Sequence, residues 1–353
     1  MNNERKIIDI RSSKVEDTIY QQIMDSIRKE TRTLPILILY STEGLQHWNT
    51  HSHAPDYYPR HEELHILNTQ AQSIAESIEN ETAIVDLGSA SLDKVIVLLD
   101  ALEKQKKNVT YYALDLSHSG LVSTLKTIPM GRYNHVRCAG LHGSFEDGLE
   151  WIKTDPEVRG LPHCVLFLGS TIGNFSRKNA ASFLANVAAT SLSAQPNKSS
   201  ILIGIDSCKV PIKVLRAYTS EGVVPFTMSG LRYASSILAE NNTSDGSRTE
   251  VFEVNDWYYL SEWNQILGRH EASYTPRTRD IRLGSPLQDV VVRKGEKIRF
   301  GYSHKYDKGE REQLFAGAGV TAVNSWTDPT CDLAFYRLKI LGHEAEDGSG
   351  LQE

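Results

Sequence analysis

The sequence predicts an α/β protein, an open and largely parallel sheet wrapped by helices, with a second, smaller lobe attached. Two observations carry this. Between residues 82 and 212, short β-branched runs close on a small or acidic residue and give way to helical patterns, the alternation that parallel strands joined by crossover helices produce. The length, 353 residues, exceeds what one such unit needs, and the segments 1–65 and 214–300 fall outside it.

Thr82-Ala83-Ile84-Val85-Asp86-Leu87-Gly88 reads as the first strand and its turn. From Leu92 to Lys104, apolar residues at Val95, Leu98, Leu99 and Leu102 keep helical spacing. Val109 to Leu116 is the second strand, Val136 to Gly140 the third, Cys164 to Leu168 the fourth and Ser200 to Asp206 the fifth. A helix runs from Ala180 to Ala194 until Gln195-Pro196-Asn197-Lys198 breaks it. Strand-like sequence returns at 290–300, 302–306 and 333–340, with a helix over 310–318. The last two strands are expected to close the sheet as an antiparallel edge hairpin. Residues 241–247 read as a surface loop and 342–353 as a mobile tail.

Composition excludes several function classes. With 40% hydrophobic and 23% charged residues and a net charge of −6 without any basic block, the chain lacks the clustered cations that phosphate binding needs, so a small-molecule partner is expected and nucleic acid is not. The mixed, charged start and the absence of an apolar stretch near ~20 residues argue against a membrane span and for a cytoplasmic protein. Four scattered cysteines, Cys138, Cys164, Cys208 and Cys331, form no Cys-x-x-Cys pair and suggest neither zinc nor disulfides. His47, His51, His53, His61 and His65 resemble a metal box, but without a matching carboxylate or cysteine set no metal is assigned. The oligomeric state is left open, a homodimer included.

Ligands of open α/β sheets bind beyond the carboxyl ends of the strands. Asp86-Leu87-Gly88-Ser89-Ala90-Ser91 stands there, and Ala90 occupies the place where Gly-x-Gly-x-x-Gly has its second glycine, which disfavours a dinucleotide pyrophosphate. Asp115, ending the second strand, is placed to accept ribose hydroxyls, although an acid in that position also serves as a helix cap.

Several further segments together resemble one family, the S-adenosylmethionine-dependent methyltransferases similar to the histidine-specific enzyme of ergothioneine biosynthesis. They are Leu39-Tyr40-Ser41-Thr42-Glu43-Gly44, Tyr57-Tyr58-Pro59-Arg60-His61-Glu62, the Asp86 turn with Lys94, and Gly143-Ser144-Phe145-Glu146. Gly169-Ser170-Thr171-Ile172-Gly173-Asn174-Phe175 and Ser303-His304-Lys305-Tyr306 complete the series. Within that family the chain is similar to the fungal 4-dimethylallyltryptophan N-methyltransferases through His47-Trp48-Asn49, Tyr111 to Ser117, Asp206-Ser207-Cys208-Lys209 and Glu262-Trp263-Asn264.

The resemblance implies a Rossmann-like class I methyltransferase sheet over 66–213 and 301–341, and an α+β substrate lobe from 1–65 and 214–300. It implies S-adenosylmethionine as cofactor, with Gly88 at the turn, Lys94 on the methionine carboxylate, Asp115 on the ribose and Ser144 with Phe145 at the adenine. Ser144 departs from the acid usual in histidine-specific members. Tyr57, Asn174 and Tyr218 match positions that hold the amine and carboxylate of an amino acid, with Tyr57 and Asn174 orienting the attacking nitrogen. Tyr40, Gly301 and Ser303 join them on the substrate side.

Each of these has a structural alternative. Asn174 can also be read as a helix N-cap, Tyr57 and Phe145 as core rings, Lys94 as a solvated helix charge and Gly301 as a glycine forced by its backbone. Gly301 is the informative departure, because histidine-specific members carry there a glutamate that pairs with imidazole. Without it, a larger, apolar ring bearing a prenyl group is expected. The expected reaction is therefore N-methylation of the α-amino group of 4-dimethylallyltryptophan. The alternatives are tryptophan or histidine as substrate, a catalytically silent S-adenosylmethionine-binding regulator, and a nicotinamide-dependent oxidoreductase.

Overall fold

Strands buried on both faces read as continuous apolar runs, and the centre of this molecule is made of them. In the computed structural model, which describes residues 6–89, 92–129, 131–241 and 250–342, β1 (Ile7–Asp9) and α1 (Val15–Ser26) precede α2 (Thr42–Ser52) and α3 (Tyr58–Glu76). Then follow β2 (Ala83–Leu87), α4 (Val95–Lys104), β3 (Val109–Asp115), α5 (His118–Lys126), β4 (Val136–His142) and α6 (Phe145–Thr154). The unit continues through β5 (His163–Phe167), α7 (Arg177–Ser191) and β6 (Ser200–Asp206). Every residue of β2, β5 and β6 is buried. The expected loop at 242–247, the tail from 343 onward and Ala90-Ser91 of the turn lie outside the described residues.

After β6 come α8 (Pro211–Ala217), α9 (Val223–Glu240), β7 (Trp257–Asn264), β8 (Arg269–Pro276), β9 (Ile281–Arg282), β10 (Val291–Val292) and β11 (Ile298–His304). The chain ends with α10 (Lys308–Gly317), β12 (Val320–Trp326) and β13 (Leu333–Ile340). One sheet has the order β1-β4-β3-β2-β5-β6-β13-β12, a second has β11-β8-β7, and β9 pairs with β10. The strands from β1 to β6 are parallel; β13 runs antiparallel to both β6 and β12.

The edge hairpin exists, but its first strand is not 302–306. That segment belongs largely to β11, which pairs with β8 in the smaller sheet, and the true partner of β13 is β12. Four consecutive residues of β12, Ala322 to Ser325, are exposed, so it lacks the alternation that reveals a half-buried strand. The 290–300 segment is likewise two pieces, β10 and β11. The β7–β8 hairpin escapes sequence reading because the buried positions of β8, which fall on both of its faces, include the polar His270 and Ser273.

The N-terminal segment and the insertion share a core. Ile19, Ile23 and Ile27 pack with Ile38, Leu231, Trp257 and Tyr274, each fully buried. At the margins the chain mixes its parts: β1 joins the large sheet beside β4, and β11 spans the boundary expected at 301.

Candidate functional site

A cavity of about 1060 Å³ opens between the carboxyl ends of β2, β3, β4 and β5 and the N-terminal segment, and it continues into a smaller chamber of about 120 Å³ within the lobe. Gly88, Lys94, Asp115, Ser144 and Phe145 line the larger space; Tyr218 and Ser303 line the smaller; Tyr40, Tyr57, Asn174 and Gly301 border both. All eleven residues chosen from the sequence thus face one continuous space, placed where open α/β sheets hold ligands.

On the sheet side, Gly88 has φ +80°, and a Cβ there would stand 3.4 Å from the Phe145 ring. Glycine is needed for the turn and for the close approach of the ring. Phe145 is edge-on to Phe167 with centroids 5.8 Å apart, and one part of it faces the cavity. Asp115 accepts from the Ser117 amide at 2.9 Å, but the N-cap of α5 is Ser117, whose side chain accepts from Gly120. The cap reading of Asp115 therefore falls away.

Lys94 is no solvated charge, since it forms an ion pair with Glu63, a carboxylate that is 0% exposed and also accepts from the Gly169 amide at 2.6 Å. Glu63 is a residue that sequence reasoning missed. Ser144 caps α6: its hydroxyl donates to Asp147 Oδ2 at 2.8 Å and accepts from the Asp147 amide at 3.1 Å. Asp86 also lines the cavity; burial pushes its carboxyl up to about 6, and Tyr111 donates to it at 2.6 Å.

On the lobe side the walls are aromatic. Tyr57 packs against Trp48 (5.5 Å between centroids), His51 (4.7 Å) and Tyr218 (5.9 Å). Burial raises the Tyr40 phenol to about 12 and lifts Tyr57 well above the ordinary range, while it lowers His51 to about 4 and His270 to about 3. At neutral pH these groups are all uncharged. Asn174 ends the short 3₁₀ turn Thr171–Asn174, and the cap of α7 is Ser176, which accepts from the Asn179 amide. The N-cap reading of Asn174 fails for that reason. Gly301 has no left-handed backbone, and a Cβ would meet only Ile36, at 3.5 Å. Its backbone does not demand glycine.

Beneath Tyr218 and Ser303 lies a buried ion pair, Lys305 with Asp206 at 2.6 Å, both side chains 0% exposed. Tyr58 adds a hydrogen bond to Asp206 at 2.7 Å. The segments containing both charged residues stood out in the sequence, but nothing there marked them as buried.

The histidines of the apparent metal box separate. His51, His53 and His61 each contact a backbone carbonyl, of Glu221, Asn49 and Ala54 respectively. Among the described residues, the one group with three metal-competent side chains together is His65, Asp328 and Cys331, outside the cavity. All four cysteines are free, two of them buried.

Residues 19–340 match the family described as histidine-specific methyltransferase, SAM-dependent. The chain belongs to this family. The methyltransferase is 56% identical to a 4-dimethylallyltryptophan N-methyltransferase of Arthroderma benhamiae over 96% of this chain and 98% of that one. Proteins of the same name from Claviceps purpurea and Aspergillus fumigatus are 55% and 54% identical, each over 95% of this chain and 98% and 97% of theirs. A solved mitomycin 7-O-methyltransferase aligns with 77% of this chain and 53% of its own at 12% identity and a TM-score of 0.37, too remote to bear on the site.

The cofactor of the family is S-adenosylmethionine, and the residues present fit it. A carboxylate ends β3, an aromatic ring flanks the glycine turn, and Lys94, held from behind by the buried Glu63, offers a cation to the carboxylate of the cofactor's amino-acid end. Among the described residues, no helix of the methyltransferase is long and apolar enough to cross a membrane.

Proposed function

We propose that this methyltransferase transfers a methyl group from S-adenosylmethionine to the α-amino nitrogen of 4-dimethylallyl-L-tryptophan. The observation that carries the substrate is the wall of the smaller chamber. Trp48, Tyr57, Phe226, Tyr259 and Phe300 dominate it, and no aspartate, glutamate, lysine or arginine is among its described lining residues. An imidazole would find no acid partner there, whereas an indole with a prenyl chain would bury apolar surface against the rings. The names and near full-length identity of the fungal relatives support the same substrate.

When bound, the cofactor supplies an electrophilic methyl group for an in-line displacement. The protein's work is placement and exclusion of water. In this reading Asp115, Phe145, Gly88 and Lys94 hold the cofactor, and Ser144 shapes its pocket through the helix cap. Tyr57 and Asn174 orient the amine; the Asn174 amide can both accept from nitrogen and donate to a carboxylate. The α-ammonium must give up a proton before it can attack; its own carboxylate keeps it more basic than a peptide terminus near ~8, and water takes that proton as the neutral amine is bound. The raised tyrosine phenols stay protonated and act as hydrogen-bond partners.

The test is to incubate the protein with isotopically labelled S-adenosylmethionine and 4-dimethylallyltryptophan, tryptophan and histidine, then weigh the products. Methylated 4-dimethylallyltryptophan should dominate at equal substrate. A preference for histidine would overturn the substrate, and binding of the cofactor with no transfer to any of the three would favour a silent regulator.

A further inference from the structure

We propose that Lys305 is a positioning residue that turns the hydroxyls of Tyr218 and Ser303 into hydrogen-bond donors aimed at the carboxylate of the amino-acid substrate. This rests on the reading of the smaller chamber as the amino-acid site. The inference follows from counting donors and acceptors around one buried ammonium. A lysine ammonium has three N–H groups and no lone pair to offer. Here Nζ lies 2.6 Å from Asp206 Oδ2, 3.3 Å from the Tyr218 hydroxyl and 3.2 Å from Ser303 Oγ. Its three donors are matched to three oxygens.

The consequence is directional. Each hydroxyl gives Lys305 a lone pair, so its own proton must point elsewhere, and among the described residues neither hydroxyl has another hydrogen-bond partner. Both residues line the smaller chamber. The chamber therefore presents two outward O–H donors backed by a positive charge, an arrangement suited to an anion and hostile to an ammonium. Within an amino acid the carboxylate is the group that takes both, which leaves the amine for Tyr57 and Asn174 on the side shared with the cofactor cavity.

The lysine is fixed from behind. Asp206 accepts from the Tyr58 hydroxyl through Oδ2 at 2.7 Å and from the Cys208 amide through Oδ1 at 2.8 Å. The Asp206 amide in turn donates to Ser170 Oγ at 3.2 Å. Tyr218 is held by its ring, stacked on His270 with centroids 4.1 Å apart and planes 8° from parallel. The Tyr218 hydroxyl cannot swing away without breaking that stack, and Ser303 is buried on β11 with Lys305 on its oxygen, so the donors are preorganised.

The experiment compares each amino acid with the amine that lacks its carboxylate. Initial rates are measured for 4-dimethylallyltryptophan against 4-dimethylallyltryptamine, and for histidine against histamine. The proteins are wild type, D206N/K305M, Tyr218→Phe and Ser303→Ala. Pairing Lys305→Met with Asp206→Asn avoids leaving a buried carboxylate uncompensated. Wild type should favour the acid over the amine by roughly tenfold or more in kcat/KM, and the double variant should shrink that ratio to within about threefold. The loss should fall on the amino-acid KM, with the cofactor KM within about twofold. A structural defect would lower acid and amine together. Should the double variant not fold, Tyr218→Phe and Ser303→Ala carry the test with the ion pair intact, and each should reduce the ratio. An undiminished ratio in a folded double variant, or in both single variants, overturns the role of Lys305. A wild type that took only the histidine pair would instead overturn the substrate reading, and the ratio within that pair would still test the lysine.

Discussion

At Gly301 a side chain could be added without straining the backbone, since its Cβ would stand 3.5 Å from Ile36 Cδ1 and φ lies outside the left-handed region. What a glutamate would meet is chemical: it would fill space against the aromatic walls and set a second carboxylate beside the one the substrate brings, in a chamber without a charged lining residue among those described, where like charges oppose each other. Gly301→Glu should lower kcat/KM on 4-dimethylallyltryptophan at least roughly tenfold while histidine methylation stays absent or rises slightly, because one residue rarely rebuilds a pocket. Kinetics on both amino acids check this, and an unchanged rate on the prenylated substrate would remove Gly301 from the side-chain pocket. Asp115 and Asn174 divide the cavity between cofactor and substrate. Asp115→Ala should weaken cofactor binding, by about 1.5 to 3 kcal/mol per lost charged hydrogen bond, and Asn174→Ala should spare it but reduce turnover strongly. Calorimetry with S-adenosylhomocysteine, set beside single-turnover rates, separates the two. Positions such as Asp115 are legible in sequence because a strand end fixes where its side chain stands. Lys305, Asp206 and Glu63 are not legible as buried groups, because a charged residue inside a protein has the same letter as one on its surface and only the partner across the fold explains it.

Elements built from continuous apolar runs, β2, β5 and β6, are recovered from sequence nearly to the residue, since burial on both faces leaves no polar positions to confuse the pattern. Elements at edges are not. β12 is largely exposed and β7 is mostly half-buried, so their place is set by hydrogen bonds to a neighbour rather than by hydrophobic alternation. The junction of α3 with the β13 edge shows how such an element is held. Glu62 accepts from the Asp332 and Leu333 amides at 2.7 and 3.0 Å and from Lys213 at 2.5 Å, joining α3, the start of β13 and α8. Glu62→Ala should destabilise the protein by about 2 kcal/mol, through two orphaned amides and a lysine with one partner fewer. Denaturant unfolding would read this as a lower midpoint at unchanged slope, with S-adenosylhomocysteine affinity retained; an unaltered midpoint would show that the junction adds nothing to stability.

Across the whole molecule, the large sheet supplies strand ends and the smaller lobe supplies aromatic walls, and one cavity joins them. We propose that the lobe, formed by the N-terminal segment and the insertion around their shared core, selects the amino acid while the sheet holds the cofactor. β11 links the two, with Gly301 and Ser303 at the smaller chamber and its end leading into Lys305. The α/β class follows from strand periodicity, and the cofactor end from the strand ends together with the family resemblance. The lobe's sheet does not, because residues such as His270 and Ser273 are buried there for the sake of packing and hydrogen bonding rather than hydrophobicity. The central claim is one of placement, and a crystal structure of the protein with S-adenosylhomocysteine and 4-dimethylallyltryptophan tests it most directly. The account expects the ribose on Asp115, the amine beside Tyr57 and Asn174, the carboxylate on Tyr218 and Ser303, and the prenylated indole against Gly301. An indole lying outside the aromatic chamber, or an amine turned away from the cofactor cavity, would contradict it.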